Sequence, residues 1–282
     1  MQQRYIWWIG GGVVLVAAVV LFFSWRSNRR PETPVATIAA PAPVAPVKPA
    51  IENPVPAAGT SDQALPALQA SDTPLHESLG EVIGRKAVDA LFKPEEMIRH
   101  LVVTIDNLPR KRSAVELRPT KPLPGTFAAS GDEQHSTLDP ANYQRYAPVI
   151  QVVKATDTKQ LVGVYFHYYP LFQQSYQNLG YPNGYFNDRM VAVIDDLLAT
   201  PDVDGDIQLV RPNVMYQFAD PNLEDLTAGQ KAMLRMGPQN AAVVKGKLRE
   251  LRAQIVGASQ SANTPAATTT TPAAAPPSKP QD

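Results

Sequence analysis

The chain contains no cysteine. That absence removes disulfides, thiolate metal sites and cysteine nucleophiles together. It also fits an oxidising compartment, where a stray thiol is a hazard. Charge of one sign is missing too: 26 Lys and Arg balance 26 Asp and Glu over 282 residues. Between positions 72 and 256 the balance is 20 against 22. A nucleic-acid binder carries a basic excess or stripe, so no nucleic acid is expected as a partner. The one basic run, Arg110-Lys111-Arg112, follows Leu108-Pro109 and reads as a solvated loop.

The common signatures of chemistry are also missing. There is no Gly-x-x-x-x-Gly-Lys-Ser/Thr phosphate loop and no Gly-x-Gly-x-x-Gly after a strand. There is no Gly-x-Ser-x-Gly elbow. The four histidines, His76, His100, His135 and His167, never fall four apart. A metal needs convergent ligands, and neither a metal nor a cofactor is expected. Asp202-Val203-Asp204-Gly205-Asp206 resembles the start of a calcium loop, but Ile207 stands where glycine is needed and Asn213 where glutamate is needed. It reads as a solvated acidic turn before a strand.

What the chain does have begins with an uncharged run from Tyr5 to Phe23. About 20 apolar residues in a helix cross a bilayer core of about 30 Å. Tyr5, Trp7 and Trp8 mark one end of the run, and Phe22, Phe23 and Trp25 the other, an interfacial aromatic pattern. Ser24-Trp25-Arg26 follows where a cleaved leader would carry small residues. The expectation is a single-pass anchor that takes the lipid bilayer as partner through Tyr5–Phe23. Arg26, Arg29 and Arg30 after the span against Arg4 before it would place the rest of the chain in the cytoplasm. The long Pro/Ala stretch that follows favours a reach into the periplasm from a bacterial inner membrane.

The chain then divides by composition into an anchor with its flanks (residues 1–26), a Pro/Ala-rich tether (27–70), a helical domain (71–256) and a disordered tail (257–282). Polyproline II at about 3.1 Å per residue makes the tether a semi-rigid spacer, on the order of 100 Å when extended. The tail, rich in Thr, Ala and Pro, lacks the apolar residues needed to bury a core.

Within the domain the apolar spacing is helical. A first helix carries Leu75, Leu79, Val82, Ile83 and Leu91, with Asp72 or Thr73 at its N-cap. A second opens at Pro94-Glu95-Glu96, carries Ile98, Leu101, Val102, Ile105 and Leu108, and ends at Pro109. Residues 118–131 read as irregular, broken by Pro119, Pro122, Pro124 and Gly125. A third helix covers about 140–156. Asp157 caps a fourth to Leu179, with a kink or break expected at Pro170. After the turn Pro182-Asn183-Gly184 a fifth runs to Ala199. Ile207–Val210 and Val214–Phe218 read as a hairpin across Arg211-Pro212-Asn213. Two helices follow, the last with Ala241, Val244, Leu248, Leu251 and Ile255 on one face. The fold class is therefore mainly α: an N-terminal transmembrane helix plus a compact multi-helix soluble domain with a small β-hairpin.

Nine of the ten tyrosines lie between Tyr143 and Tyr216. Tyrosine gives broad apolar contact with a polar tip, which suits binding surfaces, although a Tyr-rich core explains the same cluster. The candidate surface is Tyr168, Tyr181, Tyr185, Asn187, Asp188 and Arg189, fitted to an envelope protein or cell-wall partner. The alternative is an envelope hydrolase acting on glycan or peptide, with Asp188 or Asp195 as acid or base. Asp188–Arg189 and Asp195–Arg211 ion pairs are the structural explanation of the same residues.

Five stretches resemble an uncharacterised proteobacterial family. They are Val103-Thr104-Ile105-Asp106-Asn107-Leu108-Pro109-Arg110, Asn142-Tyr143-Gln144-Arg145-Tyr146, Tyr169-Pro170-Leu171-Phe172-Gln173, Leu179 through Arg189, and Gly229-Gln230-Lys231 with Met236-Gly237-Pro238-Gln239-Asn240. The resemblance covers roughly Leu65 to Val256. It implies a single-span membrane protein with a domain of unknown function, and it carries no established activity over to this chain. The expectation is a membrane-anchored bacterial envelope protein that binds or scaffolds rather than catalyses.

Overall fold

The computed structural model describes residues 50–56, 65–112, 114–132 and 135–263. The expected span Tyr5–Phe23 lies outside them, as do most of the tether and residues 264–282. Among the described residues no helix is long and apolar enough to cross a membrane.

Among the described residues ten α-helices and four short strands make up the domain. In chain order they are α1 (Asp72–Ile83), α2 (Arg85–Leu91), α3 (Met97–Asn107), β1 (Ala129–Gly131), β2 (Ser136–Leu138), α4 (Ala141–Arg145), α5 (Ala147–Ala155), α6 (Thr158–Asn178), α7 (Phe186–Leu198), β3 (Gln208–Val210), β4 (Gln217–Phe218), α8 (Pro221–Glu224), α9 (Ala228–Arg235) and α10 (Pro238–Asn263). α6 is central and meets α1, α3, α7 and α10. α10 also packs along α5 and α9.

Local chemistry explains most boundaries. The Asp157 carboxylate accepts from the Gln160 N–H at 2.8 Å and opens α6. Thr227 and Gln230 form a capping box on α9. Asp72 accepts from the Glu96 and Met97 N–H groups, each at 2.8 Å. One side chain in the first turn of α1 thereby caps α3. Gly237 links α9 to α10 at φ 86°, and a Cβ there would sit 2.6 Å from the Tyr143 ring, so the junction excludes any larger residue.

Four expectations need correction. The first helix is two, because Gly84 turns the chain at φ 86° and ψ 131° and α2 packs back on α1. The third is also two, meeting at Tyr146. Pro148 has no N–H to continue the ladder from the preceding turn. In contrast, no break occurs at Pro170: α6 continues through it. Pro170 is exposed, while Phe166, Tyr168, Tyr169, Leu171 and Phe172 around it are buried. That burial, at about 1.5–3 kcal/mol per large side chain, outweighs a lost hydrogen bond. Finally, α10 continues through Gly257 to Asn263, with Ile255 and Ser259 buried on it.

The strands form one antiparallel sheet in the order β1-β2-β3-β4. Ala129 faces Leu138, Ser136 faces Leu209, and Leu209 faces Phe218. The expected hairpin is present as β3 and β4, but residues 211–216 connect it rather than three. Its partners β1 and β2 arise partly from the stretch read as irregular. Ala129-Ser130-Gly131 has no alternation to betray a strand.

Apolar side chains gather in three clusters. The largest joins α1, α3, α6 and the start of α7 around Leu75, Val102, Phe172 and Phe186. A second joins α6, α7 and α10 around Val162, Ile194 and Ile255. A third lies under the sheet around Leu138, Leu209, Phe218 and Leu234.

Candidate functional site

The six residues expected to form one surface are divided among three places. Tyr168 is core, 3% exposed, with its hydroxyl 3.2 Å from Ser78 Oγ on α1. It is no part of a surface. The physical reason is its position on the face of α6 that meets α1.

Tyr181 and Arg189 join a knot around Asp106, which is 5% exposed at the end of α3. Arg110 donates to Asp106 Oδ2 at 2.6 Å. Arg189 donates to Oδ1 at 3.1 Å and to the Asp106 carbonyl at 2.6 Å. The Tyr181 hydroxyl donates to Oδ2 at 3.2 Å and accepts from Arg110 at 2.9 Å. Its ring stacks on Tyr176 with centroids 4.6 Å apart. Asp106 thus ties α3 to α7 and to the turn before it. Arg189 is paired with Asp106 and not with its neighbour Asp188, since successive residues on a helix point about 100° apart. Asp106 had a sequence signal: it stands four after Val102 and eight after Ile98, on the apolar face of its helix.

Tyr185, Asn187 and Asp188 hold the chain's own residues 52–55. Asp188 accepts from the Glu52 N–H at 3.2 Å, the Asn53 N–H at 2.6 Å and the Asn53 side-chain amide at 3.1 Å. Asn187, fully buried, donates to the Asn53 carbonyl at 2.8 Å. The Tyr185 hydroxyl accepts from the Val55 N–H at 2.8 Å. Behind them the Tyr165 hydroxyl donates to Asn187 Oδ1 at 2.9 Å. Burial, with Tyr185 and Asp188 nearby, keeps the Tyr165 phenol well above its ordinary range and protonated. Gln173 completes the support, accepting from the Phe186 N–H at 2.8 Å and donating to the Gly184 carbonyl at 2.7 Å. Residues 50–56, within the stretch read as tether, are therefore a strap fastened to the start of α7.

The carboxylates of the hydrolase alternative are both engaged. Asp188 holds the strap. Asp195 receives Arg252 of α10 in a two-pronged pair at 2.6 and 3.1 Å, and not Arg211. The two lie seven residues apart along α7, roughly 10 Å at 1.5 Å per residue. Asp202, at the head of the acidic turn, pairs with buried Lys245 at 2.8 Å. The hydrogen bond and charge of Lys245 lower its pKa. Among the described residues no group of three His, Cys, Asp or Glu is placed to hold a metal ion.

A different concave feature lies deeper. A slot of about 330 Å³, partly open to solvent, runs between α1, α3, α6, α7 and α10. Its walls include Leu75, Leu79, Leu101, Ile105, Phe172, Val193, Ile194, Leu197, Leu248 and Leu251, and no polar atom faces it. It separates the α1/α3/α6 cluster from the α6/α7/α10 cluster, with Tyr165 and Met190 touching both. A water molecule needs two to four polar partners to be held in such a place, and this one offers none. Sealed and empty, a cavity of that volume would cost about 8 kcal/mol at about 24 cal/mol per Å³. That rivals the whole stability of a domain, about 5–15 kcal/mol. Opening to solvent lowers the cost but leaves apolar wall uncovered. No linear motif announces a slot of this kind, because it is made by what the facing helices leave unfilled.

The fold and its sites define a helical domain with a small annexed sheet and an apolar slot. The chain belongs to the family described as protein of unknown function (DUF3014), whose pattern matches residues 97–252. The match opens at α3, so the strap, α1 and α2 precede it. No curated protein and no solved structure matches the chain.

Proposed function

We propose that the protein is a tethered binding module of the bacterial envelope. The uncharged N-terminal run anchors it in the inner membrane, the Pro/Ala stretch spaces it into the periplasm, and the helical domain holds an apolar group of a ligand or partner. One observation carries the binding role: the slot of about 330 Å³ walled by apolar atoms alone. Sites for small ligands start at about 300 Å³ and are mostly apolar. Engagement of Asp188 by the strap and Asp195 by Arg252 favours binding over hydrolysis. Scaffolding of a protein or cell-wall partner is compatible with the same anchor and spacer.

The test places a photoreactive benzoylphenylalanine in the full chain, in cells. At position 251, on the slot wall, irradiation should give a defined adduct. At position 249, exposed on the same helix, it should give none. Equal labelling at the two positions would sink the proposal.

A further inference from the structure

We propose that the tip of the β3–β4 hairpin is a second membrane contact, dipping into the bilayer that holds the anchor. This rests on the anchor of the proposed envelope module and not on its slot. The first ground is exposure. Among the described residues the exposed large apolar side chains are Ile51, Val210, Val214 and Met215. Three of these fall in the hairpin, and Val214 and Met215, neighbours at its tip, are 78% and 75% exposed. The strands behind them are the reverse: Leu209 and Phe218, which face each other, are 4% and 2% exposed. A turn meant for water is usually built from Gly, Asn, Asp or Ser, and this one presents Val-Met.

The tip is also braced. Arg211 Nε donates to the Val214 carbonyl at 3.2 Å, and its guanidinium lies over the Tyr216 ring, 5.4 Å from the centroid. Tyr216 in turn meets Phe127, with ring centroids 5.6 Å apart. The brace joins the base of the tip to the cluster under the sheet and leaves Val214 and Met215 outward.

Three features select a bilayer as the occupant. The first is charge. From Ile207 to Ala219 the one charged residue is Arg211, so no carboxylate on the hairpin repels lipid phosphates. Arg211 and Tyr216 beside the tip are residue types that favour the headgroup region. Asp132 lines the hollow shared with Arg211 and Tyr216, so contact depends on the apolar tip more than on lipid charge. The second is area. Three side chains fall far short of the roughly 800 Å² a side that a stable protein interface covers, whereas hydrocarbon demands no matching shape. The third is reach. The residues between Phe23 and Ala50 extend to roughly 90 Å at most, while a domain of about 200 residues has a radius of gyration of about 16 Å. The leash therefore lets any face of the domain meet the membrane, and the hairpin selects the face.

The chain has no cysteine, so Met215→Cys gives a single site for a nitroxide label. The full chain is placed in phosphatidylcholine nanodiscs, with Lys159→Cys, exposed on α6, as the reference. Power saturation then compares collisions with oxygen, which concentrates in lipid, and with a nickel complex, which stays in water. Oxygen should dominate at position 215 and nickel at position 159. Adding Val214→Asp should cut the oxygen-to-nickel ratio at position 215 about fivefold, because an ionised side chain is poorly tolerated in hydrocarbon. At 78% exposure that position has little packing to lose, so the fold survives the change. Nickel dominating at position 215, in a chain the discs retain, overturns the tip contact and leaves the anchor. Shielding of position 215 from both reagents also overturns it and assigns the hairpin to a protein neighbour. A chain that the discs do not retain overturns the anchor and the tip contact together.

Discussion

Asp106 joins the end of α3 to the turn before α7 and to α7 itself. Its carboxylate is nearly out of solvent, and two guanidinium groups and a phenol close on it. Such a group is costly to bury and costly to remove, because its partners are left without an opposite charge. Arg189 is 27% exposed and Arg110 52%, so solvent recovers part of the loss. Asp106→Ala should destabilise the domain by about 3 kcal/mol, the low end for a broken buried pair, read as a lower urea midpoint. An unchanged midpoint would mean that the two arginines find water as good a partner. At this scale the sequence is a fair guide to residue type and a poor one to residue partner. Asp188, Arg189 and Asp195 stand out as charged residues on one helix, but their partners come from residues 52–53, 106 and 252. No local spacing encodes those encounters.

Elements were legible where a local cause fixes them. Asp157 as cap, the turn before α7 and the apolar stripe of α10 all follow from capping, turn chemistry or period. Elements whose cause is remote were hidden. β1 and β2 exist because β3 offers them an edge, and α6 ignores Pro170 because its buried neighbours hold it. The strap is the sharpest case, since Ile51-Glu52-Asn53-Pro54-Val55-Pro56 has the composition of a spacer. It is ordered by acceptors that arrive more than a hundred residues later. Asp188→Ala should release it while helical content stays intact. Hydrogen exchange should then show the Glu52 and Asn53 amides losing protection, with α7 beyond its first turn unaffected. Full protection in the variant would show that Asn187, Tyr185 and Val55 suffice.

At the scale of the molecule, the proposed anchor and the described domain make one prediction about place. Alkaline phosphatase fused after Asp282 should be active if the domain faces the periplasm. Activity only from a cytoplasmic reporter at the same site would put the domain on the other side, as the arginines after the span would have it. Tyr5–Phe23 supports an anchor through hydropathy alone, a signal that needs no tertiary context. The slot has no such signal, for it is a property of five helices together.

The strap has a mechanical side. Asp188 grips two consecutive main-chain amides and Asn187 grips the carbonyl beside them. Traction on the chain upstream of residue 50 would reach these bonds before it reaches α1. The load would pass to α7, whose Met190, Val193 and Leu197 form one wall of the slot.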